Sequence, residues 1–251
     1  MGRRTHPGKT REENEDSLLC LTLSRIQQGV SQPAGLFAIA DGMGGHAMGD
    51  LASSLAIQTI VQKASSELAS LQNLTPEEYI SWLKDAVQAA NLTLFESRQK
   101  ADNDMGSTLV CALLLGNQAY LAHLGDSRIY LLRDKSIQQL TSDHSLVQQL
   151  VTNGQISRDE ARFHPQRNVI LQSLGEKAQA EADIYTQELL PGDRLLLCSD
   201  GLSGMLDDQK IRIIIHESQS PQVACDYLID AANLAGGEDN ISIILVEVIL
   251  A

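Results

Sequence analysis

The sequence predicts an α+β chain: an antiparallel β-sandwich of two sheets with helix pairs on the outside, an α-β-β-α arrangement. Three observations carry this. Strand-like runs of Leu, Ile and Val follow one another through tight turns, helical stretches come in consecutive pairs, and no repeated strand–helix alternation marks a parallel sheet. The 251 residues contain no internal repeat, low-complexity tract or linker rich in Pro, Gly and Ser, so one domain over 1–251 is expected.

Residues 18–23 and 36–40 are the first two apolar runs. Helical periodicity covers 51–71 and 76–100; the second stretch opens on Thr75-Pro76-Glu77-Glu78, an N-cap, a proline at the first helical position and acids in the first turn. Runs 108–115, 119–124 and 128–132 form a meander, with Gly116-Asn117 as a hairpin turn and Gly125-Asp126 and Arg133-Asp134-Lys135 breaking the next two. Between 142 and 175 the pattern becomes short, polar and helix-prone, which predicts a surface flap with turn signals at Asn153-Gly154 and His164-Pro165. His144 is expected to organise its start. A strand at 193–198, helices at 208–217 and 222–234, and a last strand at 241–248 complete the order.

Composition bounds the function. Hydrophobic residues at 43% can fill a core, while aromatics at 4% leave that work to aliphatic side chains. A net charge of -13 argues against nucleic acid or an anionic membrane as partner. No apolar run approaches the ~18 residues of a membrane span. Arg3-Arg4 has no hydrophobic stretch behind it, and Met1-Gly2 is followed at position 6 by His6 where myristoylation wants Ser or Thr. Cys20, Cys111, Cys198 and Cys225 are far apart without C-x-x-C spacing, and the first three sit in apolar runs. They read as reduced thiols in a cytoplasmic protein.

The chemistry lies where strands end. Apolar runs repeatedly reach an aspartate followed by glycine or a turn residue: Asp41-Gly42, Asp126-Ser127 and Asp200-Gly201. Gly237-Glu238-Asp239 precedes the last strand, and Glu15-Asp16 the first. Strand ends on one edge of a sandwich lie close together, and hard oxygen donors without His or Cys select Mg²⁺ or Mn²⁺ over zinc. Glycine after Asp41 would let a backbone carbonyl approach an ion. Three other patterns are chance. Residues 42–47 fit G-x-G-x-x-A but lead into two helices where a βαβ unit needs a strand. Gly8-Lys9-Thr10 lacks the first P-loop glycine, and Asp102-Asn103-Asp104 lacks the glycine and closing Glu of a calcium loop.

Together these segments resemble the PP2C (PPM) family of metal-dependent serine/threonine protein phosphatases, in its bacterial branch. The pieces are R-E-E-N-E-D at 11–16, A-D-G-M-G-G-H at 40–46, M-G-S-T at 105–108, H-L-G-D-S-R at 123–128, T-S-D-H-S at 141–145, L-C-S-D-G-L at 197–202 and G-G-E-D-N-I at 236–241. The ordered set, covering 11–248, is what makes the likeness specific. The resemblance implies a phosphatase that hydrolyses phosphoserine and phosphothreonine through a water bridging two divalent cations, Mg²⁺ or Mn²⁺. It implies that Asp41 bridges both ions, Asp200 and Asp239 hold the first, and the Gly42 carbonyl holds the second. Glu15 and Asp16 would hold the second ion's waters. Asp126, helped by Asp200, would form a weaker third site. Arg11 would bind the substrate phosphate, and His46 would protonate the leaving oxygen. Partners would be phosphoproteins and a serine/threonine kinase pathway, with the chain a monomer. One departure is the short stretch before Arg11, which leaves a short first strand carrying Arg3 and Arg4.

Two rival readings are a catalytically dead scaffold member and a hydrolase of small phosphate esters. The first would have lost metal aspartates, and all are present. The second differs only outside the metals, in the flap, where Arg158, Arg162 and Arg167 lie. Two of these are expected to pair with Asp159 and Glu160, and Arg167 is expected to face substrate.

Overall fold

The computed structural model describes residues 1–27, 30–44, 47–67 and 74–249. In chain order it contains β1 (Gly2–His6), β2 (Asp16–Gln27), β3 (Val30–Met43), α1 (Ala47–Glu67), α2 (Pro76–Ala101), β4 (Gly106–Ser107), β5 (Leu109–Leu115), β6 (Gln118–Leu124), β7 (Arg128–Arg133) and β8 (Ser136–Gln139). Then come α3 (Leu146–Thr152), α4 (Arg158–Arg162), β9 (Asp183–Glu188), β10 (Arg194–Cys198), α5 (Asp200–Ser203), α6 (Asp208–Glu217), α7 (Pro221–Leu234) and β11 (Ile241–Glu247). Two sheets result, ordered β1-β11-β10-β7-β8 and β2-β3-β5-β6-β9, with β4 paired to the end of β3. Every pairing is antiparallel.

Period-two alternation sorts the side chains into three apolar layers. Along β3, Leu36, Ala38 and Ala40 face α1 and α2, while Phe37 and Ile39 face the other sheet. Along β10, Leu195 and Leu197 join that inter-sheet layer, and Leu196 and Cys198 face α6 and α7. A strand buried on both faces is a near-continuous apolar run, which is why the central strands are visible in the sequence. Each fully buried Leu or Ile contributes roughly 1.5–3 kcal/mol.

α2 starts as expected. Thr75 N–H donates to Glu78 Oε2 at 2.7 Å, and Glu78 N–H donates to Thr75 Oγ1 at 3.3 Å, closing a capping box ahead of Pro76. The short first strand is real, five residues matched to five of β11 from Gly2↔Leu245 to His6↔Ile241. The end of the expected helix at 51–71 falls partly outside the described residues. The strands β4, β8 and β9 and the short α5 lie outside the expected runs. β8 and β9 are sheet edges with alternately exposed side chains, so their sequences, SIQQ and DIYTQE, carry little apolar signal. The pattern at 42–47 that mimics a dinucleotide loop is in part strand: Gly42 and Met43 end β3, paired with Ser107 and Gly106.

The expected flap carries α3 and α4 and closes on itself at a neck, where Ser145 and Ile170 form an isolated bridge. Its far end is anchored by Leu174, which exchanges backbone hydrogen bonds with Ser107 at 3.2 and 2.8 Å. Cys111, Cys198 and Cys225 are buried and Cys20, although in an apolar run, is half-buried.

Candidate metal centre

Five aspartates converge at one end of the sandwich, supplied by both sheets. Asp16 begins β2 and stands opposite Asp41, near the end of β3. Asp126 sits in the turn that carries the chain from β6 in one sheet to β7 in the other. Asp200 begins α5 directly after β10, and Asp239 lies in the loop before β11. Asp41, Gly42, Asp126, Asp200 and Asp239 line one cleft of about 300 Å³ with Arg11, Glu15 and the flap residues Asn168 and Ile170. Asp16 is buried against the same group. His46 lies outside the described residues.

Local hydrogen bonds fix these positions. Asp41 N–H donates to Thr108 Oγ1 at 3.1 Å, and its carbonyl accepts from Thr108 N–H at 2.8 Å and Ser107 Oγ at 3.0 Å. Ser199 Oγ donates to Asp16 Oδ2 at 2.9 Å, tying the end of β10 to the start of β2. Asn240 joins the two ends of the chain: its Nδ2 donates to Pro7 O and Glu13 O, both at 2.9 Å, and its Oδ1 accepts from Glu15 N–H at 2.7 Å. Gly8, at φ +82°, lets the loop lie on this region; a Cβ there would come within 2.3 Å of Asp239 O. Thr108, Ser199 and Asn240 all lie inside the quoted motifs, yet their roles are not read from sequence.

Gly42 has a steric reason for being glycine in addition to the one expected. A Cβ there would lie 1.9 Å from Gly49 O and 2.8 Å from Glu15 O, so its missing side chain lets the first turn of α1 close on β3. Arg11 Nη2 donates to Asp239 Oδ2 at 2.8 Å, which places a half-exposed guanidinium at the rim of the cleft.

The cluster carries repulsion and desolvation together. Burial pushes Asp16 up to about 7, opposed by hydrogen bonds from Ser242 and Ser199 and reinforced by the charges of Asp200 and Asp239. Burial and the Asp239 charge push Asp200 up to about 6. Asp41 and Asp126 are held well above the carboxylate range, again chiefly by burial and then by neighbouring aspartates. Asp16 Oδ1, Asp126 Oδ1 and Asp200 Oδ1 are buried without a hydrogen-bond partner among the described residues. An acceptor left in that state costs about 1–3 kcal/mol, more when charged. Several oxygen donors with unmet demand fit hard divalent cations.

The flap meets the cleft differently from expectation. Asn168 and Ile170 line it, whereas Arg167 Nη2 donates to Glu238 Oε2 at 2.9 Å and lies along an adjoining groove of about 350 Å³. No ion pair joins Arg158 or Arg162 to Asp159 or Glu160 among the described residues. Glu160 is taken by Ser157, whose N–H donates to Oε2 at 2.7 Å, and Arg162 Nη1 reaches Ser203 O at 3.5 Å.

The whole arrangement has counterparts. Residues 12–226 match the family Protein phosphatase 2C. The serine/threonine phosphatase stp of Listeria welshimeri is 39% identical over 246 residues, 97% of this chain and 94% of that protein. The structure of the S. agalactiae serine/threonine phosphatase superposes with a TM-score of 0.84 at 34% identity, covering 98% of both chains. The catalytic domain of the serine/threonine protein phosphatase PstP, solved in complex with two manganese ions, superposes with a TM-score of 0.82 at 33% identity, covering 99% of this chain and 97% of that one. The chain belongs to the protein phosphatase 2C family, the metal-dependent protein serine/threonine phosphatases. Its cofactor is Mg²⁺ or Mn²⁺. No described helix is long and apolar enough to cross a membrane.

Proposed function

We propose that the five strand-end aspartates are the metal centre of this phosphatase and that Arg11 receives the substrate phosphate. The observation that carries the reading is the convergence of carboxylates from both sheets on one cleft, with buried partnerless oxygens on Asp126 and Asp200 in its lining and on Asp16 beside it. Asp41, in the middle of the cluster, would bridge two cations. Asp200 and Asp239 would hold one, and the Gly42 carbonyl the other, with Glu15 and Asp16 on its waters. Asp126, with Asp200, would hold a weaker third. When bound, two such cations supply an acidified water and offset charge on the attacking and leaving oxygens.

The chain's own groups do the rest. Arg11 offers a forked donor to two phosphate oxygens, and its place beside Asp239 sets the phosphate next to the carboxylates. Asn168 and Ile170 narrow the cleft from the flap side. His46 keeps its sequence role as proton donor to the leaving serine or threonine oxygen. Phosphoproteins are the substrate class. A kinase acting on the same proteins, a monomeric state, a cytoplasmic location and a single domain with 142–175 as its flap complete the reading. The test is phosphate release from a panel of phosphopeptides and small esters with Mn²⁺ and with chelator. Phosphopeptide turnover that needs the metal is expected. Undiminished turnover in chelator would overturn the metal assignment, and turnover of small esters alone would overturn the substrate class.

A further inference from the structure

We propose that His144 is a positioning residue for Asp126, acting through the Gly125 turn. The proposal rests on Asp126 holding the weak third cation, as read above.

The turn carrying Asp126 is gripped at both ends by the first residues of the flap. His144 N–H donates to Gly125 O at 2.7 Å, and Gly125 N–H donates back to His144 Nδ1 at 3.2 Å. At the other end Arg128 Nε and Nη2 donate to Asp143 at 2.9 and 2.7 Å. The turn has no slack on its opposite side, because Gly125 adopts φ +109° with the Thr108 side chain 2.7 Å from where a Cβ would lie. Asp126 Oδ1 has no hydrogen-bond partner among the described residues. Its direction therefore comes from the backbone that carries it.

The hydrogen bonds also fix the state of the ring. A backbone N–H can only donate, so His144 Nδ1 is an acceptor and the ring proton sits on Nε2. Nε2 lies 3.3 Å from Asp183 Oδ2, which also accepts from Tyr185 Oη at 2.7 Å. Although burial raises it, these hydrogen bonds from Tyr185 and His144 hold Asp183 below the usual carboxylate range. The His123 ring packs on the other side, centroid to centroid 4.6 Å. The ligand atoms of His123, His144 and Asp183 lie within 4.8 Å of one another, a spacing that a metal could use. The tautomer decides against that role, because Nε2 presents a proton to Asp183 where an ion needs a lone pair. The set is a relay that orients one imidazole.

Asn and Gln separate the two functions of that imidazole. Asn places an oxygen where Nδ1 lies and can accept from Gly125; Gln places its amide where Nε2 lies and can reach only Asp183. The experiment is calorimetric and paramagnetic-resonance titration with Mn²⁺ of wild type, H144N, H144Q and D126N, with turnover of an aryl phosphate measured in parallel. H144N is expected to keep the weak Mn²⁺ site within about twofold and H144Q to weaken it about tenfold or more, as loss of a ligand's supporting partner does. The tight sites should be unchanged in both, and D126N should lose the weak site. Wild-type weak binding in H144Q, with D126N losing it, overturns the role of His144. Equal losses in H144N and H144Q also overturn it, since the Gly125 bond would then be irrelevant. Retention of the weak site by D126N overturns instead the reading of Asp126. Nitrogen NMR of the wild-type protein tests the same point without any variant: a proton on His144 Nε2 is expected, and one on Nδ1 would sink the proposal.

Discussion

Asp16 and Asp41 are cross-strand partners, set directly opposite by the register of β2 and β3. Like charges in that position repel, and here Asp16 is buried and Asp41 half-buried as well. Asp41→Asn should therefore stabilise the metal-free protein by about 1 kcal/mol while reducing Mn²⁺-dependent hydrolysis to background. Urea unfolding in chelator and turnover with Mn²⁺ check the two halves. Loss of stability alongside activity would make Asp41 a structural residue.

Removing metal should give an unusual pH dependence. Asp16 at about 7 and Asp200 at about 6 are raised above their ordinary 3.8, so between those values the folded state binds more protons than the unfolded one. That stabilisation is present below about pH 4 and is lost as pH rises through 6 to 7. In chelator the melting temperature should fall from pH 6.5 to pH 8. Saturating Mn²⁺ should cancel or reverse the fall, because cations bind the deprotonated carboxylates. A chelated protein that melts higher at pH 8 would contradict the cluster's electrostatics.

His123 runs the other way. Burial, then the neighbouring His144, lowers it to about 4 from 6.5, and neither ring nitrogen has a hydrogen-bond partner among the described residues. Here the unfolded state binds more protons, so stability is lost as pH falls from 6.5 towards 4. His123→Phe should cost under about 1 kcal/mol at pH 7, since no hydrogen bond is forfeited. It should also be less acid-sensitive than wild type between pH 6.5 and 4.5. Equal acid sensitivity would show that the imidazole is solvated.

Arg11→Ala should raise KM for an aryl phosphate roughly tenfold, the worth of one charge-assisted hydrogen bond. Because Arg11 is also a cation beside Asp239, Mn²⁺ affinity should be kept or tightened. Weakened Mn²⁺ binding in a titration would mean that the guanidinium supports the metal loop and does not serve substrate.

Arg167 ties the flap to Glu238, the residue before Asp239. Arg167→Ala should lower kcat/KM on phosphopeptides several-fold and spare a small aryl phosphate, by freeing the wall formed by Asn168 and Ile170. Glu238→Gln, which breaks the same pair, should match it. If only the arginine variant loses phosphopeptide activity, Arg167 touches substrate itself.

The interior of the fold was legible because β3, β5, β6, β7, β10 and β11 are buried on both faces, and α6 occupies the span 208–217 that its periodicity predicts. The edges β8 and β9 were not, because alternate residues of β8, and Thr186 and Glu188 of β9, meet water and polar residues serve there. At the site, the aspartates were legible as strand ends running into glycine or a turn. Ser199 and Asn240 were not, because each acts on groups more than 180 residues away in sequence, Ser199 on Asp16 and Asn240 on Pro7, Glu13 and Glu15. The Arg167–Glu238 pair was not legible for the same reason: its two members stand 71 positions apart, and the sequence reading assigned Arg167 to substrate alone.

The pairing of β1 with β11, and the grip of Asn240 on Pro7, Glu13 and Glu15, have a consequence for synthesis. A ribosome delivers Asp16 and Asp41 early, yet the loop bearing Arg11 has no seat until Gly237 to Asn240 have emerged. A partly made chain can pack α1 and α2 onto the first sheet and still lack one wall of the centre. On the proposed assignment, activity is expected only once β11 lies between β1 and β10 and brings Asp239 to Arg11, so a chain stopped before Asp239 should not strip phosphates from its neighbours.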